Sequence, residues 1–193
     1  MAESIAILGG TFDPVHVGHM SVAAGVRDRL GAQRVLMVVA NDPWKKWGRD
    51  TAPALDRLEM VKLAIAGMES VEASDIEIRR GGVSFTTDTL EELHGECPSA
   101  NLLLVVGADL ADELGTWERF DRIGELAELV VVARPGSRVP ELAKVLEFET
   151  PDVSSTEIRA RIGRGEPIEG LVPKSVSDYI SARGLYIPGG AHL

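Results

Sequence analysis

The chain carries a single cysteine, Cys97, among its 193 residues. An intrachain disulfide is therefore excluded, and this usage suits a reducing, cytoplasmic setting. No cysteine motif surrounds Cys97, so it reads as a plain thiol near the end of a helix. Long apolar runs are also missing. The stretches LLLVV (102–106) and LVVVA (129–133) are far too short to cross a bilayer. The N-terminal MAESIAILGG has no basic region ahead of its strand-length apolar run, so no signal peptide is expected. Positive charge is scarce: 20 Lys and Arg against 30 Asp and Glu leave a net charge of −10. That balance argues against nonspecific binding to nucleic acid or an anionic membrane. A small anionic substrate stays open, because a local basic cluster focuses potential inside an acidic protein. Repeats, low-complexity tracts and linkers are absent, so one domain over 1–193 is expected. Neither the G-x-G-x-x-G of dinucleotide folds nor the G-K-[ST] of P-loops occurs.

What is present is a series of short, wholly apolar runs separated by helical periodicity. Strands are expected at 4–8, 34–40, 102–106, 129–133 and, briefly, 146–149. A weakly alternating strand is expected at 71–79, ended by Gly81 and Gly82. Helices are expected at 18–30 with Gly31 as stop, at 55–66, at 87–94, and as turns near 110–114 and 120–127. A C-terminal helical region of about 154–187 follows, opened by S-S-T-E, in which Glu157 stands at capping-box spacing from Ser154. Strands apolar on both faces and alternating with helices mean a parallel sheet covered on both sides, an α/β Rossmann-like doubly wound fold. Such sheets bind ligands at the carboxyl ends of their strands. The unusual residues fall there, at 9–19, 41–47, 107–109, 134–136 and 154–159.

The stretch GGTFDPVHVGH (9–19) holds the densest chemistry. Gly9 and Gly10 let backbone turn and approach a ligand, and the following helix points its dipole at the same place. Asp13-Pro14 stiffens the turn. His16 and His19 lie three apart at the helix head, on one face, where each can donate to phosphate oxygens. Structural histidines or a metal pair are the competing readings. The first does not explain a pair behind two glycines, and the second lacks accompanying ligands.

G-G-T-F-D-P-V-H-V-G-H resembles the H-x-G-H signature of the nucleotidyltransferase superfamily, in the form found in bacterial nicotinate-nucleotide adenylyltransferases. V-S-S-T-E-I-R (153–159) is similar to that family's second signature. V-G-A-D (106–109), Thr116-Trp117 and R-P-G (134–136) match in order between them. The resemblance spans essentially the whole chain. It implies attack by the 5′-phosphate of nicotinate mononucleotide on the α-phosphorus of ATP, without a covalent enzyme intermediate. Catalysis then rests on positioning and charge stabilisation. Mg²⁺ is expected as a partner of the triphosphate.

The resemblance assigns His16, His19, Lys46 and Arg159 to catalysis. It places Gly9, Gly10, Thr11, Phe12, Gly107, Asp109, Arg134, Ser154, Ser155 and Thr156 around the nucleotide. It places Thr11, Lys46, Arg57, Phe85, Thr86, Asp109 and Trp117 around the mononucleotide. Each has an ordinary alternative. A Lys pair is commonly a solvated turn, Asp109 a helix cap, Trp117 core packing, and Arg57 a partner of Asp56 or Glu59. Two positions depart from the family pattern. Trp44-Lys45 replaces Pro-His before Lys46, and Phe85 stands where the family usually has Tyr. CTP in place of ATP, or nicotinamide mononucleotide or phosphopantetheine as acceptor, keeps the same chemistry. A nucleotide-binding regulator without turnover is the reading from another class; it predicts loss of His16, His19 or the late Ser/Thr/Arg cluster, and all are present. Many family members self-associate, so a homo-oligomer stays open.

Overall fold

β-Branched and leucine-rich runs form strands when both of their faces are covered, and the six strands among the described residues are of that kind or pair at the edge of those that are. The computed structural model describes residues 2–42, 51–111, 113–133 and 143–187, except the side chain of Asp109. The strands are β1 (Ser4–Gly10), β2 (Arg34–Val39), β3 (Val71–Ser74), β4 (Asn101–Gly107), β5 (Glu128–Ala133) and β6 (Lys144–Glu147). They form one sheet in the order β3-β2-β1-β4-β5-β6, and every neighbouring pair is parallel. The order reverses between β1 and β4. That is the switch point at which doubly wound sheets open a crevice.

Helices α1 (Val17–Leu30), α2 (Ala54–Ile65), α7 (Ser155–Gly163) and α8 (Lys174–Arg183) cover one face. Their Val26, Val61, Ile158, Val176 and Ile180 pack with Ala6, Met37, Val105 and Val130. Helices α3 (Ile76–Arg80), α4 (Thr86–Glu96) and α6 (Phe120–Leu126) cover the other, with α5 (Ala108–Ala111) directly after β4. Here Ile76, Leu90, Leu93 and Ile123 meet Ile7, Val38, Leu104 and Val131. Successive residues of one strand thus enter opposite cores, as the two-residue period requires. Among the described residues, no helix is long and apolar enough to cross a membrane.

Several boundaries differ from the sequence expectation. β1 does not end at Leu8; it runs through Gly9 and Gly10, which pair with Val38 and Val39. The expected strand at 71–79 stops at Ser74, where the pairing of β3 with β2 ends. The alternation of Ile76 and Ile78 belongs to the short helix α3, which buries Ile76 and Glu77. The last strand lies at 144–147 rather than 146–149, because pairing of Lys144 with Val130 and Glu147 with Ala133 sets its position. The stop at Gly31 is as read, with φ of 62°.

Candidate active site

The crevice at the β1/β4 switch point is a cavity of about 1060 Å³. That is the upper end of the range for small-molecule sites. Its floor is the carboxyl ends of the central strands: Gly9 and Gly10, Val38 and Ala40, Val106 and Gly107, Val132 and Ala133. His16, Gly18 and His19 from the head of α1 form one wall. Ser84, Thr86 and Trp117 lie toward α4, and Phe148 with residues 150–154 closes the side toward α7.

The two histidines are arranged by the start of α1. His16 is the N-cap, with extended backbone. Its amide donates to His19 Nδ1 at 3.2 Å, which leaves Nε2 as the protonated nitrogen of a neutral His19 ring. The rings stack with centroids 3.7 Å apart. Gly18 makes room for this: a Cβ there would stand 3.0 Å from His16 Nδ1. His16 is 7% exposed, and burial depresses its pKa to about 4. It is therefore neutral near pH 7. Its side chain faces the His19 amide across the capping box, and its buried Nδ1 makes no hydrogen bond of full geometry.

The two adjacent glycines do different work. A Cβ on Gly9 would meet nothing within 4 Å, so its face opens on the cavity. A Cβ on Gly10 would stand 2.8 Å from the Phe12 ring. The tight turn belongs to Phe12 instead, which holds φ at 50°. Phe12 is buried and meets His19 edge-on at 5.0 Å. It supports the histidine from below and does not line the cavity. Two early amides of α1 are already engaged, Val17 N–H with the Leu171 carbonyl and His19 N–H with that of His16.

The cavity gathers Gly9, Gly10, Thr11, His16, His19, Thr86, Gly107, Trp117 and Ser154. Trp117 lines the cavity and also packs against the second core. Ser154 caps α7, accepting from Glu157 N–H at 3.2 Å. Ser155, Thr156 and Arg159 lie outside the lining. The Ser155 hydroxyl donates to the Pro14 carbonyl at 2.9 Å. Arg159 Nη1 donates to the Asp13 carbonyl at 2.7 Å, and its Nη2 reaches Thr156 Oγ1 at 3.4 Å. Phe85 is the N-cap of α4 and stands between the lining residues Ser84 and Thr86.

Arg57 is a correction. It was expected to reach a phosphate or to pair with Asp56 or Glu59. It is 1% exposed instead, one of the largest fully buried side chains. Its guanidinium donates to the carbonyls of Ala52, Thr11, Ala40 and Asn41 at 2.7–3.1 Å. Those four bonds tie the ends of β1 and β2 to the start of α2. Lys45, Lys46, Trp44 and Arg134 lie outside the described residues, as does the side chain of Asp109.

Sequence reading gave no role to Glu77, Phe148, Arg29 or the side chain of Asp13. Glu77 lines the cavity from α3; burial raises its pKa, while Thr89, which donates to it at 2.7 Å, opposes the rise. Phe148 lines the opposite side, with its ring tip where a Cβ on Gly25 would stand at 2.5 Å. Arg29 covers that ring at 5.2 Å from its centroid. Asp13 is 1% exposed and joins several segments below the site. A carboxylate inside an alternating run, or a glycine facing a helix interior, was the available signal.

Residues 7–161 match the profile of the family described as "Cytidylyltransferase-like". A relative from Roseiflexus sp., named "Probable nicotinate-nucleotide adenylyltransferase", is 42% identical, over 94% of this chain and 97% of its own length. One of the same name from Corynebacterium kroppenstedtii is 38% identical, over 96% of this chain and 92% of its own. The fold is similar to that of Plasmodium falciparum nicotinic acid mononucleotide adenylyltransferase complexed with NaAD, with a TM-score of 0.80 at 18% identity. That match covers 95% of this chain and 97% of the other.

Proposed function

The chain belongs to the cytidylyltransferase-like family and, within it, to the nicotinate-nucleotide adenylyltransferases; we propose that it transfers the adenylyl group of ATP to nicotinate mononucleotide. A 5′-phosphate oxygen of the mononucleotide attacks the α-phosphorus, the bond between the α-phosphorus and the bridging oxygen breaks, and pyrophosphate leaves. The products are nicotinate adenine dinucleotide, a precursor of NAD, and pyrophosphate.

The observation that carries this reading is the stacked His16–His19 pair, one ring buried and the other half-buried, on the wall of a cavity that crosses the sheet's switch point. Negative charge builds on the phosphoryl oxygens during transfer, and fixed donors in a site of restricted water stabilise it at little reorganisation cost. His19, with Nε2–H as donor, suits that task. Gly9, Thr11 and Ser154 line the nucleotide side, and Ser154 stands at the start of α7, a place favourable to anions. Thr86 and Trp117 line the other side, where the first turn of α4 offers amides to a carboxylate and the indole offers a ring face. Lys46, Arg134 and Asp109 are proposed here on the family signatures alone.

A divalent metal accompanies the triphosphate in this family. Mg²⁺, carried on the phosphates, is the proposed ion, bound as part of the substrate. Among the described residues, no group of three or more His, Cys, Asp or Glu could cage a metal.

The test is pyrophosphate release with Mg²⁺ and nicotinate mononucleotide, run against ATP, CTP, GTP and UTP, then repeated with nicotinamide mononucleotide. Release with ATP and the acid, well above every other pair, is expected. Release chiefly with CTP, or equally with the amide, overturns the substrate assignment and keeps the chemistry.

A further inference from the structure

Below the cavity, one buried carboxylate connects parts of the chain far apart in sequence. Asp13 lies between β1 and α1, with a side chain 1% exposed. Its Oδ1 accepts from the Ala52 amide at 3.1 Å and from the Tyr186 hydroxyl at 2.8 Å. Its carbonyl accepts from Arg159 Nη1 at 2.7 Å, and its Oδ2 stands 3.7 Å from that same nitrogen. Three residues further on is His16.

A carboxylate at that depth needs every donor it has, because a buried charge with a missing partner is costly. Ala52 and Tyr186 supply the only two hydrogen bonds that Asp13's side chain makes among the described residues. Tyr186 comes from the turn after α8 and holds a left-handed φ of 66°, uncommon for a residue with a side chain. Its ring already packs against the core. Anchoring the C-terminal turn would need only that packing, so the aim of the hydroxyl at Asp13 calls for a separate reason. Burial, and then the Asp13 charge, raise the phenol's pKa above its ordinary value. The hydroxyl therefore stays a donor at any working pH.

We propose that Tyr186 is a positioning residue for nucleotidyl transfer: its hydroxyl fixes the Asp13 carboxylate, and Asp13 fixes Arg159 and the turn that delivers His16. This rests on the function proposed above. The route runs by hydrogen bonds from the C-terminal turn to Asp13 and Arg159, and from Asp13 three residues along the chain to His16 on the cavity wall; near-attack geometry is sensitive to sub-ångström shifts in such supports.

Tyr186→Phe removes only the hydroxyl. The expected result is a fall of about tenfold in kcat, with KM for both substrates changed by less than about twofold. Arg159→Lys has its own loss, and the double variant is expected to be no slower than Arg159→Lys alone. Side-chain ¹⁵N spectra supply a readout independent of turnover: Arg159 Nη protons exchange slowly in the native protein and quickly in Tyr186→Phe. An unchanged kcat with a lowered Tm makes Tyr186 a structural anchor and overturns the proposal, as do additive losses in the double variant. If the native protein releases no pyrophosphate, the function reading has failed. The Arg159 spectra then decide the contact route alone, and an unchanged spectrum in Tyr186→Phe overturns it.

Discussion

The backbone N–H of His16 donates to Nδ1 of His19 at 3.2 Å, and the two rings stack 3.7 Å apart. One short contact thus starts helix α1, sets the tautomer of His19 and brings both imidazoles to the same cavity wall. The pair that caps the helix is also the pair proposed to donate to phosphate.

His19→Ala removes the donor proposed for the reacting phosphates and is expected to lower kcat by about 100-fold or more. The lost contact at the helix start costs about 1 kcal/mol of stability at most. Steady-state kinetics beside a thermal melt separate the two. A near-native rate would remove His19 from catalysis.

His16 titrates with a pKa of about 4, below the ordinary 6.5, because burial disfavours its charged form. Between those values the unfolded chain binds a proton that the folded chain does not. Folding stability is therefore expected to fall as pH drops through 6.5 toward 4, and to recover as pH rises. Two-dimensional NMR of the ring nitrogens gives the pKa directly, and His16→Asn should flatten that part of the stability profile. A His16 midpoint at or above 6.5 would contradict the burial seen here.

Gly9→Ala and Gly18→Ala should differ in kind. The new methyl at position 9 enters open cavity space, so Tm is expected to stay within about 2 °C while KM for the nucleotide rises severalfold. At position 18 it presses on the His16 ring and the Pro151 carbonyl, 3.0 and 3.4 Å away. That shift should appear mainly in kcat. Equal effects on Tm and on both kinetic constants would mean that the two glycines serve only the fold.

Arg57→Leu strips four backbone carbonyls of their donor. A loss of about 3 kcal/mol or more is expected in a denaturant titration. Arg57→Lys, with a single point donor, should recover only part of it. If either variant keeps native stability and loses mononucleotide affinity, Arg57 is a phosphate ligand after all.

The sheet was legible because LLLVV and LVVVA have no polar face to show water, which only a doubly covered sheet explains. The crevice followed from where the glycines, histidines and the Ser154 cap fall relative to those runs. Residues 71–80 misled because Ile76 and Ile78 alternate like a strand, whereas pairing with β2 ends at Ser74. Arg57 was unreadable for a different reason. A guanidinium near a phosphate motif has donors for phosphates and carbonyls alike, and only the packed backbone shows which it meets. The Tyr186–Asp13 contact spans 173 positions, and no local pattern in either residue announces the other.

The most direct measurement is ³¹P NMR of ATP and nicotinate mononucleotide with Mg²⁺ and the enzyme. One pyrophosphate and one dinucleotide formed per ATP consumed, with ATP stable when the mononucleotide is left out, is the predicted result. ATP breakdown without the acceptor, or binding of both substrates with no pyrophosphate formed, would contradict adenylyl transfer at this site.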